Sequence, residues 1–194
     1  GRYMPVRLSY FKDLNIAYVL AGHFHSKFDV RKLGNGGYFV YPGSPISITK
    51  GELGQRKVNI FEAGKPPEEY PLDTPHFEEV IIELDPFVDK NPVEIVDERF
   101  QGVHPEAKVL LTVKGYVNSE KIGMSEKELA KQIREIAKAK YVEEQHTEFT
   151  DIHAILEDDL FKNFVYKLEQ RNYDEERKKQ LLDLAIRAMM EARA

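Results

Sequence analysis

The residues in this chain best suited to chemistry are two imidazoles one position apart, in Gly22-His23-Phe24-His25. The apolar run Ile16-Ala17-Tyr18-Val19-Leu20-Ala21 before them predicts a buried strand, ending at Gly22 where the backbone is free to turn. In extended backbone, residues i and i+2 face the same side. His23 and His25 would then reach one metal, or one each of two metals about 3.5–4 Å apart, the spacing of a two-metal phosphoester site. Phe24 would point the other way, into the core. Cysteine is absent, so disulfides and thiolate sites are excluded, and the metal donors left are His, Asp, Glu and Asn. Paired histidines alone are commoner as surface or core residues than as ligands, so the surrounding elements must decide.

Val30 to Val40 predicts a strand, a Gly34-Asn35-Gly36-Gly37 turn and a second strand. Tyr41-Pro42-Gly43-Ser44-Pro45 comes next, then Lys50-Gly51-Glu52, then a strand from Lys57 to Glu62. A Pro-Gly-Ser turn beside the histidines could bring backbone N–H groups or Ser44 to a phosphate. Tyr41, Lys50 and Arg56 are further candidate substrate contacts. A tight turn joining two strands fits the same residue types. Upstream, Met4-Pro5 opens a short helical pattern with Val6, Tyr10 or Phe11, and Leu14 on one side, ended by Asn15. A helix feeding a buried strand is half of an α/β unit.

The 194 residues suffice for one large domain or two small ones, and a hydrophobic content of 42% is enough for a core. No apolar run approaches the roughly 18 residues of a membrane span. With no basic-plus-apolar leader, the expectation is a cytoplasmic protein without a membrane partner. Charge is uneven. Residues 1–63 carry nine Lys and Arg against four Asp and Glu; residues 64–150 carry eleven against nineteen; residues 151–194 carry eight against ten. A basic first segment favours a polyanionic substrate there, and equally fits a solvated face.

Residues 63–76, with Pro66, Pro67, Pro71 and Pro75, predict a linker. Beyond it the order is β-α-β-α-β. Phe77 to Leu84 is a strand with Val80, Ile82 and Leu84 on one face. Asn91-Pro92 starts a helix closed by Gly102. Ala107 to Val117 is a strand with Val109, Leu111 and Val113 alternating. Ser125-Glu126-Lys127-Glu128 is a capping box opening a helix with Leu129, Ile133 and Ile136 inward. Tyr141 to Phe149 is a third strand. Residues 151–194 predict an αα-hairpin. Leu156, Leu160, Phe161, Phe164, Val165 and Leu168 line its first helix, Asp174 caps the second, and Leu181, Leu182, Ala185 and Met189 line that one.

Strand, Gly-His-x-His, hairpin and Pro-Gly-Ser loop in this order resemble the last block of the calcineurin-like metallophosphoesterases. The fuller form, Tyr41-Pro42-Gly43-Ser44-Pro45 with Lys50-Gly51-Glu52 after it, resembles the SbcD-type (Mre-eleven) exonucleases of DNA double-strand-break repair, over residues 6–62. The resemblance implies an α/β (α+β) chain in three parts: residues 1–64 as the C-terminal piece of a metallophosphoesterase β-sandwich core, 65–150 as a small βαβαβ capping domain that shapes DNA access, and 151–194 as a helical hairpin. It implies two divalent metal ions, Mn2+ by type, with His23 a ligand of one and His25 of the other. It also implies DNA as substrate, a homodimer, and an SbcC-type SMC-like ATPase as partner of the C-terminal helices. The hairpin stripes fit packing on the cap or on a second copy equally well.

The family's Asp-x-His, Gly-Asp and Asn-His motifs do not precede the Gly-His-x-His block here. The chain is therefore expected to be the C-terminal half of a longer protein, inactive alone. Two other readings stay open: a phosphoesterase acting on a nucleotide or small phosphoester, and a non-enzymatic module that holds the ATPase.

Overall fold

A computed structural model describes residues 6–26 and 28–193. Met4-Pro5, the expected start of the first helix, lies outside the described residues. The helical pattern after it is realised as a single 3-10 turn, Leu8–Phe11, with no buried residue. The architecture is mixed α and β, with three small sheets among the described residues.

The first sheet holds β1 (Tyr18–Leu20), β2 (Phe28–Lys32) and β3 (Tyr38–Pro42) in the order β1-β3-β2. β2 and β3 form the expected hairpin, with Val30 opposite Val40, and β1 runs parallel to β3. The turn is clasped by Asn35. Its amide donates to the Leu14 carbonyl at 2.6 Å and the Ile16 carbonyl at 3.0 Å, and its oxygen accepts from the Gly37 N–H at 2.9 Å. At Gly37 an added Cβ would sit 2.4 Å from the Ile16 carbonyl oxygen, so only glycine allows this approach. β1 differs from expectation. It has three residues, and Leu20 is 64% exposed. Burial falls instead on β3, where Val40 is fully enclosed.

The second sheet pairs β4 (Lys57–Ile60) with β5 (Glu68–Pro71), antiparallel. Part of the expected linker is thus a paired strand. Proline is compatible because Pro71 ends the strand, where a missing donor disturbs no ladder.

The third sheet holds β6 (His76–Leu84), β7 (Ala107–Val117) and β8 (Glu144–Asp151), in that order. Helix α1 (Pro92–Arg99) connects the first two strands; α2 (Ser119–Ile122) and α3 (Glu126–Ala139) connect the last two. The alternating rows Val80, Ile82, Leu84 and Val109, Leu111, Val113 are buried as their spacing predicts. Asn91 caps α1 by accepting from the Val93 N–H at 2.9 Å, and Ser125 caps α3 by accepting from the Glu128 N–H at 3.2 Å. The buried stripe of α3 is Leu129, Ile133 and Ala137. Ile136, expected on this stripe, is only partly buried beside Ala137. β8 begins three residues later than expected, after Tyr141, which is 92% exposed with a positive φ of 53°.

Compact packing divides the chain into two units. One comprises Gly1–Val80, Gly102–Leu110 and Tyr141–Glu144; the other comprises Ile81–Gln101, Leu111–Lys140 and Gln145–Ala194.

In the second unit the expected first C-terminal helix is two, α4 (His153–Leu156) and α5 (Asp159–Glu169). The break is made by Asp158, whose carboxylate accepts from the Leu160 N–H at 2.8 Å and so starts a new helix. α6 (Glu175–Arg193) begins beside Asp174, which accepts from the Arg177 N–H at 2.7 Å. Ile152, Ile155, Phe161 and Ile186 form a buried cluster, packed by Leu156, Val165, Leu182, Met189 and by Tyr116 of β7. Leu160, expected on this face, is 70% exposed. Among the described residues no helix is long and apolar enough to cross a membrane.

Asp151 ties the end of β8 to α2 and α4. Its carboxylate accepts from the Ser119 N–H at 3.0 Å and the His153 N–H at 3.1 Å. Burial pushes its pKa up, but hydrogen bonds from Ser119 and His153 outweigh it and hold the pKa below the ordinary range. A depressed folded-state pKa adds stability above the unfolded value, which is lost as pH falls through the folded one. Asp151→Asn should therefore lower stability by about 1–2 kcal/mol near neutrality. In urea melts the gap from wild type should close as pH drops below about 4.

Candidate functional site

The loop after β1 and the loop after β3 meet on one side chain, Arg56. The residue is fully buried. Its Nε donates to the Ser44 carbonyl at 3.0 Å, Nη1 to the Glu52 carbonyl at 3.4 Å, and Nη2 to the His25 carbonyl and to Ser44 Oγ at 3.1 Å. The planar fork thereby fixes the backbone at His25 and Ser44 together. Its central carbon lies 4.7 Å from the centroid of the Phe28 ring, a cation–π contact that covers the ion. Burial lowers the Arg56 pKa, and the Glu52 carboxylate opposes this.

Glu52 is the second fixed point, also buried. Its Oε1 lies 3.3 Å from His25 Nδ1 and accepts from Thr49 Oγ1 at 3.3 Å. Its Oε2 accepts from the Ile48 N–H at 2.8 Å and has Ser44 Oγ at 3.3 Å. The Ile48 N–H lowers the Glu52 pKa most; burial opposes it, and His25, Ser44 and Thr49 add to the lowering. The carboxylate is held ionised. The loop carrying it is tied down by Ser47 N–H to the Pro75 carbonyl at 3.2 Å, Thr74 Oγ1 to the Pro45 carbonyl at 2.6 Å, and Gly54 N–H to the Phe77 carbonyl at 2.8 Å.

His25 side-chain atoms are half exposed, with the Nδ1 edge against Glu52. His23 differs. It has a positive φ of 78°, so the segment is not extended, and strand geometry does not set the two rings on one side. Phe24 is a correction as well: it is 41% exposed rather than pointed into the core. It belongs to an edge-to-face row in which His23 meets Phe24 at 5.4 Å, Phe24 meets Tyr41 at 5.5 Å, and Tyr41 meets Phe39 at 5.1 Å. Tyr41 thus braces the histidine loop through its ring.

Of the other candidate substrate contacts, Ser44 is buried, Lys50 pairs with Glu144, and Arg56 is enclosed. As placed, Arg56 holds carbonyls and is shut away from any phosphate, because its donors are used inside the loop junction. The hydrogen bond to Glu144 raises the Lys50 pKa. Residue spacing gave no role to Glu52 in orienting a histidine, nor to Phe28 beside the guanidinium. The one usable signal was Glu52 inside the Lys-Gly-Glu motif.

The donors present are imidazoles, which suit transition metals. Among the described residues no group of three or more His, Asp or Glu is arranged to hold an ion, and catalytic centres take three or more protein ligands. Elsewhere, Ser119 Oγ and Asp151 Oδ2 both approach His153 Nδ1, at 3.4 and 3.1 Å. A hydrolytic relay needs them on opposite ring nitrogens, so this trio is a helix-end clasp. The sequence matches no protein-family model, and no curated protein matches it.

Gly43 sits at the centre of the junction with a φ of +68°. An added Cβ would lie 2.5 Å from the Phe28 ring and 3.0 Å from the His25 carbonyl oxygen. Gly43→Ala should cost about 1–3 kcal/mol from backbone strain alone. Arg56→Met, which strands the His25 and Ser44 carbonyls, should cost at least as much. Denaturant melts with hydrogen exchange at Ser44 check both; unchanged midpoints would show that the junction is not held this way.

Proposed function

We propose that this chain is the C-terminal part of an SbcD-type DNA repair exonuclease, and that His23 and His25 are its contribution to a two-metal, manganese-type cleft completed by residues outside this chain. The reaction class is metal-dependent hydrolysis of DNA phosphodiesters. The observation that carries the proposal is the His25 ring, half open to solvent in the loop between β1 and the β2–β3 hairpin and held on its other edge by a buried carboxylate. The excess of Lys and Arg in residues 1–63 supports a polyanionic substrate. In this reading residues 65–150 cap the cleft and shape DNA access, and the protein works as a cytoplasmic homodimer.

The C-terminal helices would take the SbcC-type SMC-like ATPase. Exposed Leu160, Tyr166 and Leu184, at 63–70%, support this. The same residues favour the second reading, a module that holds the ATPase without hydrolysing anything.

Two outcomes test the proposal. Joined to a segment carrying Asp-x-His, Gly-Asp and Asn-His motifs, the chain should show manganese-dependent nuclease activity, and His25→Ala should abolish it; full activity in that variant would remove the metal role. Alone, the 194-residue chain should give weak or no heat of Mn2+ binding by calorimetry. Tight stoichiometric binding would contradict the incomplete cleft.

A further inference from the structure

We infer that Glu52 is a positioning residue for His25, fixing the ring in its Nδ1–H tautomer and turning the Nε2 lone pair outward. An ionised carboxylate has no proton to give, so the 3.3 Å contact between Oε1 and Nδ1 is a hydrogen bond only if Nδ1 carries the proton. Neutral imidazole has one N–H, so Nε2 is then the lone-pair nitrogen. The described residues make no hydrogen bond to Nε2, and the side chain is half exposed while Glu52 is nearly enclosed. The open edge is therefore the Nε2 edge.

The carboxylate has no freedom to do otherwise. The Ile48 N–H at 2.8 Å and Thr49 Oγ1 at 3.3 Å pin its two oxygens. From the backbone side, Arg56 and the Ser44 N–H, at 2.9 Å, both hold the His25 carbonyl. His25 is thus fixed at both ends by groups that are themselves buried. A carboxylate behind a histidine in this manner orients a metal ligand and raises its basicity. The ring is preset before any ion arrives. The use of the lone pair for a metal rests on the proposed function; the orientation does not.

The test is long-range 1H–15N correlation on the 194-residue chain at about pH 8.5, where imidazoles are neutral. Wild type should show His25 as a single species with the proton on Nδ1. Glu52→Gln should bring in the Nε2–H form, because an amide can donate to Nδ1 as well as accept from it. A mixture or an Nε2–H form in wild type overturns the inference without any variant being needed. So does a Glu52→Gln spectrum in which His25 is unchanged while Ile48 and Thr49 shift, since that is the signature of loop support alone.

Substoichiometric Mn2+ separates this from the metal reading. Broadening of the His25 ring protons in wild type, requiring about tenfold more Mn2+ in Glu52→Gln, supports both. A fixed Nδ1–H tautomer with no broadening keeps the positioning and removes the metal. Broadening with mixed tautomers keeps the metal and removes the positioning.

Discussion

A buried guanidinium is the constraint on which this site depends. Taking Arg56 out of water costs several kcal/mol unless its donors are met, and here they are met largely by carbonyl oxygens of two loops distant in sequence. Those carbonyls would otherwise need water or secondary structure. The charge and the loops therefore satisfy one another. The arrangement works only because Gly43 lets Phe28 come close enough to cover the guanidinium. A larger residue at 43 would push the ring away and let the ion hydrate.

Glu52 completes the logic at the level of side chains. Arg56 determines where the His25 backbone lies, and Glu52 determines how the ring is turned. Between them they hold a half-exposed histidine at both its ring and its carbonyl. The aromatic row from His23 to Phe39 braces the other end of the same loop, through ring contacts. The C-terminal helices are built on a different principle. They pack as an apolar cluster around Ile155, Phe161 and Ile186, with polar residues used as helix caps.

Where one physical rule dominates, the amino-acid order announces the structure. The alternation in β6 and β7, the caps at Asn91 and Ser125 and the Gly-rich hairpin turn all belong to this kind. Legibility fails where rules compete. The prolines after Ala63 argue for a linker, yet four of the residues pair with β4 because a strand end tolerates a missing donor. One apolar stripe across 156–168 argues for one helix, yet Asp158 captures the Leu160 N–H and divides it. The histidine pair was visible as residue types. Its geometry was not, because a positive φ at His23 breaks the extended backbone that a period of two assumes. Arg56 reads as a candidate substrate contact because nothing local foretells that its partners are carbonyls 12 and 31 residues away.

The proline-rich stretch has one more effect. β5 has β4 as its only neighbour in its sheet among the described residues, which leaves its outer side an open template for a stray strand. Pro71 offers no N–H to such an intruder, and Glu68 and Glu69 set like charges against a second copy of the same segment. Residues that look like slack between domains thus protect an unfinished sheet against aggregation.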